Sequence, residues 1–535
     1  MKILPYGIAE DGLPIQEGFL QNEDALNEQE NPVNATIPIT HFSQNPIALL
    51  EEVADADVFK LHSNPNATKT IFLDFNGFEI ANSPWENGGP LKLAPFYSTM
   101  NATTRQEIQR IWRRVAEDFA PFNVNVTTED PGTEALRKFG TGDERWGIRV
   151  AFTSNKNLIT GQPIKNAGGG GTAYYNSFNW STDDVALVFN RGEYTASNTA
   201  SHEVGHALGL THDGSPSGEY YAGHGDGATS WCTLMGAPWL GYDENMTQWS
   251  KGDYTNANNR QDDLAVIVGG NGFSYITDDH GNTFETATLL TGNAFSCTGI
   301  IGENTDKDFF RFEVKAPGVS HFNFYNIIKG YVNNGGTYTP KYYTSRSPNL
   351  DIHVTLYRED KTVLQIYNPK DRASAVFSID LPIGVYYLSV DGTGFGNPLA
   401  TPAVGYTDYA SLGQYMITAK LASIALPPIV IDPNGAVQLI KGAESNFVSV
   451  IVAGSTIPVK FNGSQIRDNQ FADRQILAAE TLDGKNKILW KIVSTGQIRT
   501  WTLDANWNFI SSDNNITSPT STEGQALLAK FQVTL

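Results

Sequence analysis

One short stretch, Ser201-His202-Glu203-Val204-Gly205-His206-Ala207-Leu208-Gly209-Leu210-Thr211-His212-Asp213, restricts this chain more than any other. It calls for a helix through 202–206, a sharp stop at 209 and a return at 212. On a helix His202 and His206 stack on one face, where two imidazole nitrogens can reach one metal ion about 2.0 to 2.1 Å away. Glu203 stands beside them, placed to take a proton from water activated by that metal and to pass it later to a leaving amine. Gly209 permits the left-handed backbone that ends a helix and turns the chain back, so His212 can return as a third ligand. Three protein ligands leave a fourth position open, and that separates a catalytic zinc from a closed structural one.

The rest of the composition excludes several function classes. With 57 acidic against 37 basic side chains the formal net charge is −20, and no Lys/Arg run is present. Nucleic acid and anionic membrane surfaces are therefore not expected partners, since phosphate contacts need basic patches. No run approaches the roughly 18 apolar residues of a membrane-spanning helix. Met1-Lys2-Ile3-Leu4-Pro5-Tyr6-Gly7 lacks the apolar core of a secretory signal, so export uses another route or does not occur. The 2 cysteines, Cys232 and Cys297, rule out a disulfide framework and a four-thiolate zinc site.

A chain of 535 residues has room for three or four domains. Residues 1–65, rich in Pro, Asn, Glu and Gln, read as a poorly structured leader or pro-segment. In 66–275, helical spacing over 103–120 (Ile108, Ile111, Trp112, Val115, Phe119) mixes with strands at 71–75, 124–126, 147–152 and 184–189, which predicts an α+β domain with a mixed sheet and an active-site helix. Over 276–422, short β-rich runs at 309–314, 352–357, 375–379 and 386–390 predict an all-β sandwich. After the connector Leu426-Pro427-Pro428, residues 430–535 carry Trp490, Trp501 and Trp507 among short alternating strands, which predicts a small all-β domain.

The extended histidine motif resembles the metzincin clan of zinc metallopeptidases. Ser230-Trp231-Cys232-Thr233-Leu234-Met235-Gly236 matches the clan's tight turn, which places Met235 beneath the ligands as packing. Asp213 directly after His212, together with Cys-x-x-Met, is similar to the adamalysin, or reprolysin-like, branch. So are Tyr220-Tyr221-Ala222-Gly223-His224-Gly225, Gln248-Trp249-Ser250-Lys251-Gly252-Asp253-Tyr254, Leu73-Asp74-Phe75-Asn76-Gly77 and the 115–122 segment. Ala237 replaces the tyrosine that serves as an extra ligand in other branches, so no Tyr ligand is expected. The resemblance implies that Thr172, Ala173, Tyr174 and Tyr175 form an edge strand along the cleft, to which an extended peptide adds by backbone pairing. It also implies a secreted zinc endopeptidase acting on proteins or peptides. His224 lies outside the motif and is expected to be structural, and Asp74, Glu117, Asp118, Glu129 and Asp130 are expected to be solvated or capping. Cys232 is expected to be a buried small side chain.

The segments 278–283, 299–301, 306–310, 349–351 and 384–388 resemble the bacterial pre-peptidase C-terminal domain, and the 477–507 region resembles a tryptophan-rich C-terminal domain of bacterial extracellular proteins. These resemblances imply an extracellular or cell-surface location and attachment through the C-terminal domains. Asp278, Asp279, Asn282, Asp306 and Asp308 are candidate calcium ligands, since hard oxygen donors suit that ion, although such stretches also form plain turns. The rival reading is a surface adhesin or glycan-binding protein with a vestigial zinc domain, its tryptophans offered to sugars. An intact Glu203 argues against it, because a binding module has no need of that carboxylate.

Overall fold

The computed structural model describes residues 3–6, 49–50, 54–183, 185–237, 246–423, 427–443 and 445–535. Most of the expected leader lies outside the described residues, as do Asp184 and Leu426. The chain forms two units, 1–423 and 424–535.

In the first unit α1 spans Ala102–Asp118. Asn101 accepts a hydrogen bond from the Thr104 backbone N–H, and the Thr104 hydroxyl accepts one from Asn101 in return, so two otherwise orphaned donors are satisfied. Ile108, Ile111, Trp112 and Val115 recur at helical spacing and are wholly buried. The helix stops short of Ala120 because Pro121 disfavours helical geometry in the residue before it.

This helix packs with α2 (Glu193–Leu208) and with a mixed sheet. Trp146–Phe152 runs parallel to both Lys69–Asp74 and Ala186–Val188, and Asn125–Thr127 runs parallel to Lys69–Asp74. Gly171–Tyr174 lies antiparallel outside Ala186–Val188. These strands carry near-continuous apolar runs such as Ile71-Phe72-Leu73, as buried strands must.

The sheet does not stop at the expected domain boundaries. Leu61–His62 pairs with Asn125–Thr127 on one side and, through Leu61↔Val332 and His62↔Tyr331, with the long strand Gly318–Asn334 on the other. The first half of that long strand belongs to the sandwich, pairing with Ala375–Leu381 and Gly413–Lys420. A second five-stranded sheet, including Lys307–Val314, Gly384–Gly392 and Ile352–Arg358, faces it, with Phe312 packed on Phe322. One contiguous core runs from Val58 to Leu421.

Two expectations are corrected here. Residues 54–65 belong to the folded body: Val58 and Leu61 are buried, and the Thr128 hydroxyl donates to the Val58 carbonyl while accepting from the Leu61 N–H. Residues 276–422, expected to be a separate sandwich, carry two facing sheets but are not a body separate from 66–275. A strand long enough to serve both halves merges them, and Gly330 on it lies so close to Trp112 that a Cβ would sit 2.5 Å from the ring.

The second unit has its own core, in which Trp490, Trp501 and Trp507 pack among Val437, Leu439, Val450 and Ile488. Two four-stranded antiparallel sheets, Ile429–Asp432 to Ser455–Pro458 and Arg474–Leu482 to Phe509–Ser512, make its body, and the helix Thr522–Lys530 follows.

Candidate metal centre

The α2 helix ends at Gly209, whose φ of +104° is the left-handed conformation that a side chain would strain, and the Gly209 N–H closes on the His206 carbonyl. The chain turns back there, as its sequence requires, and brings His212 to His202 and His206. Imidazole nitrogens of the three lie within 4.8 Å of one another, and His206 Nε2 is 3.0 Å from His212 Nε2.

The outer faces of the rings settle their tautomers. His202 Nδ1 is 2.8 Å from the Leu234 carbonyl and His206 Nδ1 is 2.9 Å from the Leu210 carbonyl. A carbonyl only accepts, so each Nδ1 carries the proton and each Nε2 offers a lone pair inward. His212 Nδ1 meets the Glu219 carboxylate, which likewise accepts. Burial and the two neighbouring imidazoles hold His202 well below the usual histidine range, which favours this neutral form. Three inward nitrogen donors from neutral imidazoles fit zinc, and His202, His206 and His212 would hold it.

Glu203 is wholly buried, and neither of its carboxylate oxygens has a hydrogen-bond partner. Burial pushes its pKa well above the ordinary glutamate value. An unsatisfied buried carboxyl is costly, and this one directly follows His202 on α2. It lies against Gly171, where a Cβ would come within 2.7 Å of Glu203 Oε1. Glycine at 171 thus allows the strand backbone to approach the carboxyl.

Met235 is wholly buried beneath α2, and a Cβ on Gly205 would lie 2.5 Å from its sulfur. The turn is closed by the Gly236 N–H donating to the Thr233 carbonyl. Asp213 ties the third ligand to this turn: its N–H donates to the Met235 carbonyl and its carboxylate accepts from the Thr233 hydroxyl at 2.6 Å. Burial raises the pKa of Asp213 to about 7.

Of the expected cleft strand, Thr172, Ala173 and Tyr174 lie in Gly171–Tyr174 and Tyr175 falls just past it. The outer side of this strand is occupied by the chain's own Ile3–Tyr6, antiparallel, with Tyr6 opposite Gly171 and Ile3 opposite Tyr174.

His224 is outside the cluster, between the Tyr221 hydroxyl and the Gly405 carbonyl. Cys232 is buried, and both cysteines are free. Three carboxylates expected to be solvated or capping are instead buried. Asp74 pairs with Arg149 at 2.8 Å, while Glu117 and Asp118 face the sandwich through Ser345 and Asn349. Their partners Arg149, Ser345 and Asn349 are distant in the chain, which no local pattern announces. Glu129 binds His62, and Asp130 accepts from the Gly132 N–H in its turn.

Asp278, Asp306 and Asp308 also converge, with carboxylate oxygens within 4.8 Å. Oδ1 of Asp306 and of Asp308 is buried without a partner. Asn282 donates to Asp278 and accepts from the Lys307 N–H, and Asp279 accepts from the Ile300 N–H. The motif reading had no place for Glu219, and nothing in a Gly/Ser-rich turn distinguishes that acid from a solvated one.

Comparison with known proteins gives two family matches. Residues 125–213 match the metallopeptidase family M12B, reprolysin-like, and residues 437–535 match the tryptophan-rich Synechocystis species C-terminal domain. No curated protein matches. Among solved structures, the pre-peptidase C-terminal domain of a collagenase from Bacillus anthracis is 15% identical, with TM-score 0.17, covering 26% of this chain and 100% of that one. The full extracellular region of zebrafish Gpr126/Adgrg6 is 9% identical, with TM-score 0.14, covering 44% of this chain and 31% of that one.

Proposed function

We propose, from the premise that this chain carries a reprolysin-like M12B metallopeptidase region of the metzincin type, that it is a zinc-dependent endopeptidase cleaving protein or peptide substrates. The observation that carries this reading is the cluster of three imidazoles, with Glu203 buried and without a hydrogen-bond partner on the helix that carries two of them. When bound, zinc supplies the Lewis acidity that polarises the scissile carbonyl and acidifies the attacking water.

The chain's own residues do the rest. Gly171–Tyr174 aligns an extended peptide by backbone pairing, which needs little side-chain selectivity. Glu203 accepts the proton of the attacking water. The same carboxyl then gives that proton to the leaving amine, so it acts as base and then acid. Met235 and Asp213 hold the ligand cage from below.

Residues 3–6 occupy the strand position a substrate would take, so the N-terminal segment would block the cleft as a substrate does until it is removed. Extracellular or surface action is part of the same proposal and rests on what the sequence resemblances of 276–422 and 477–507 imply. The calcium part of the proposal narrows to Asp278, Asp306 and Asp308, where two carboxylate oxygens are buried without a partner. The adhesin reading loses its glycan platform, because Trp490, Trp501 and Trp507 are each at most 2% exposed.

The test compares wild type with Glu203→Ala for zinc stoichiometry and for cleavage of unfolded casein with and without a chelator. The variant is expected to keep its zinc and lose turnover by at least about a hundredfold. Zinc-loaded wild type that cleaves nothing, even after residues 1–48 are removed, would sink the peptidase reading.

A further inference from the structure

The three ligands are not held alike. His202 and His206 sit inside a helix, wholly buried, each with its Nδ1–H committed to a backbone carbonyl. His212 lies beyond the left-handed Gly209, on a loop. Asn259 donates to its backbone carbonyl at 3.1 Å, which fixes the chain there but leaves the ring free to rotate about its side-chain bonds. Two contacts address the ring from the loop that follows: the Tyr220 ring, with centroids 4.3 Å apart, and the Glu219 carboxylate on Nδ1. An aromatic face limits tilt but does not choose a tautomer. A carboxylate does both.

The loop that presents Glu219 is itself pinned. Ser215 and Gly218 exchange backbone hydrogen bonds, and the Tyr221 N–H donates to the Asp213 carbonyl. The Tyr254 hydroxyl donates to the Gly214 carbonyl at 2.8 Å. A Cβ on Gly214 would lie 2.3 Å from the Glu219 carbonyl, so the two limbs of the turn are in backbone contact. Nor is Glu219 a solvated surface acid, since its side chain is 21% exposed and its second oxygen, Oε2, is buried without a partner.

We propose that Glu219 is the positioning residue for the third metal ligand: its carboxylate accepts the Nδ1–H of His212, fixes that ring's tautomer and orientation, and keeps its Nε2 turned toward those of His202 and His206. An anionic acceptor also makes the opposite nitrogen a stronger donor than a carbonyl partner would. The helical ligands have their geometry from the fold, and the loop ligand has it from a side chain. This inference rests on the zinc-peptidase reading and deepens it.

The experiment uses the full chain as wild type, Glu219→Gln and Glu219→Ala. Each is titrated with zinc against a chromophoric chelator, loaded with cobalt for its visible absorption spectrum, and melted without metal. Glu219→Ala is expected to bind zinc about 10- to 100-fold more weakly and to shift the cobalt bands, while its metal-free melting stays that of wild type. Glu219→Gln, which keeps an acceptor but not the charge, should fall between. Wild-type affinity and wild-type cobalt bands in Glu219→Ala overturn the proposal. If Glu219→Ala fails to fold, Glu219→Gln decides, and wild-type affinity there overturns the role of the carboxylate. Wild type that takes up no stoichiometric zinc would instead overturn the peptidase reading beneath it.

Discussion

Two β-rich regions follow the peptidase region, and their sequence textures are alike: short strands, Asp-Gly and Asn turns, and few helices. Their structures place them in opposite relations to the rest of the chain. The sandwich gives the strand Gly318–Asn334 to the catalytic sheet and shares one core with it. Residues 424–535 keep their own core. Backbone pairing, not composition, decides whether an appended module is separable, and a strand that serves two sheets makes separation costly for both.

The largest test of that contrast is truncation. A chain ending at 423 is expected to bind zinc and cleave casein as the full chain does. A chain ending at 275 should aggregate or unfold, since Leu61, Trp112 and the buried acids at the end of α1 lose their cover. Soluble, zinc-binding, cooperatively melting 1–275 would show that the shared strand is dispensable.

Next in size are two tryptophan deletions, each worth about 3–5 kcal/mol in its own core. Trp112→Ala removes a ring that donates to the Val126 carbonyl and abuts Gly330. It should lower the melting of the first unit and weaken zinc binding with it. Trp490→Ala should melt the second unit early and leave zinc affinity untouched. Calorimetry read alongside a zinc titration checks both, and a Trp490→Ala chain with impaired zinc binding would break the comparison. Smaller still is Gly330→Ala, where one methyl is forced against Trp112 at a cost of about 1–3 kcal/mol, seen as a lower melting temperature of the first unit alone.

The histidine cluster was legible in the sequence because its constraints are local. His202 and His206 are one helical turn apart, and Gly209 is where a left-handed residue must stand. α1 was legible for the same reason, from the spacing of Ile108, Ile111 and Val115. What escaped depends on residues distant in the chain. Leu61 finds Val332, Gly330 finds Trp112, and Glu117 finds Asn349, so a leader that looked loose proved partly folded and acids that looked solvated proved buried. Glu219 escaped differently: it is near its partner, but only the closed turn at 215–218 aims it at His212.

The smallest effect tests the seam between peptidase and sandwich by pH. Burial raises Glu117 to about 8, against the hydrogen bonds it accepts from the Asn349 N–H and the Ser345 hydroxyl, and the nearby Asp118 is raised to about 7. A folded-state pKa above the unfolded value means that the fold prefers the protonated acid. The stability this lends is fully present below the ordinary glutamate range of about 4.3 and is lost as pH rises toward the folded value. The melting temperature of the first unit should therefore decline as pH rises from about 5 to about 9. Glu117→Gln, which mimics the protonated acid, should flatten that decline in part, the remainder belonging to Asp118 and to Asp213, itself raised to about 7. The second unit, whose core holds none of these groups, should not follow the same profile. An identical slope in wild type and Glu117→Gln would mean that the seam is not sealed over a neutral glutamate.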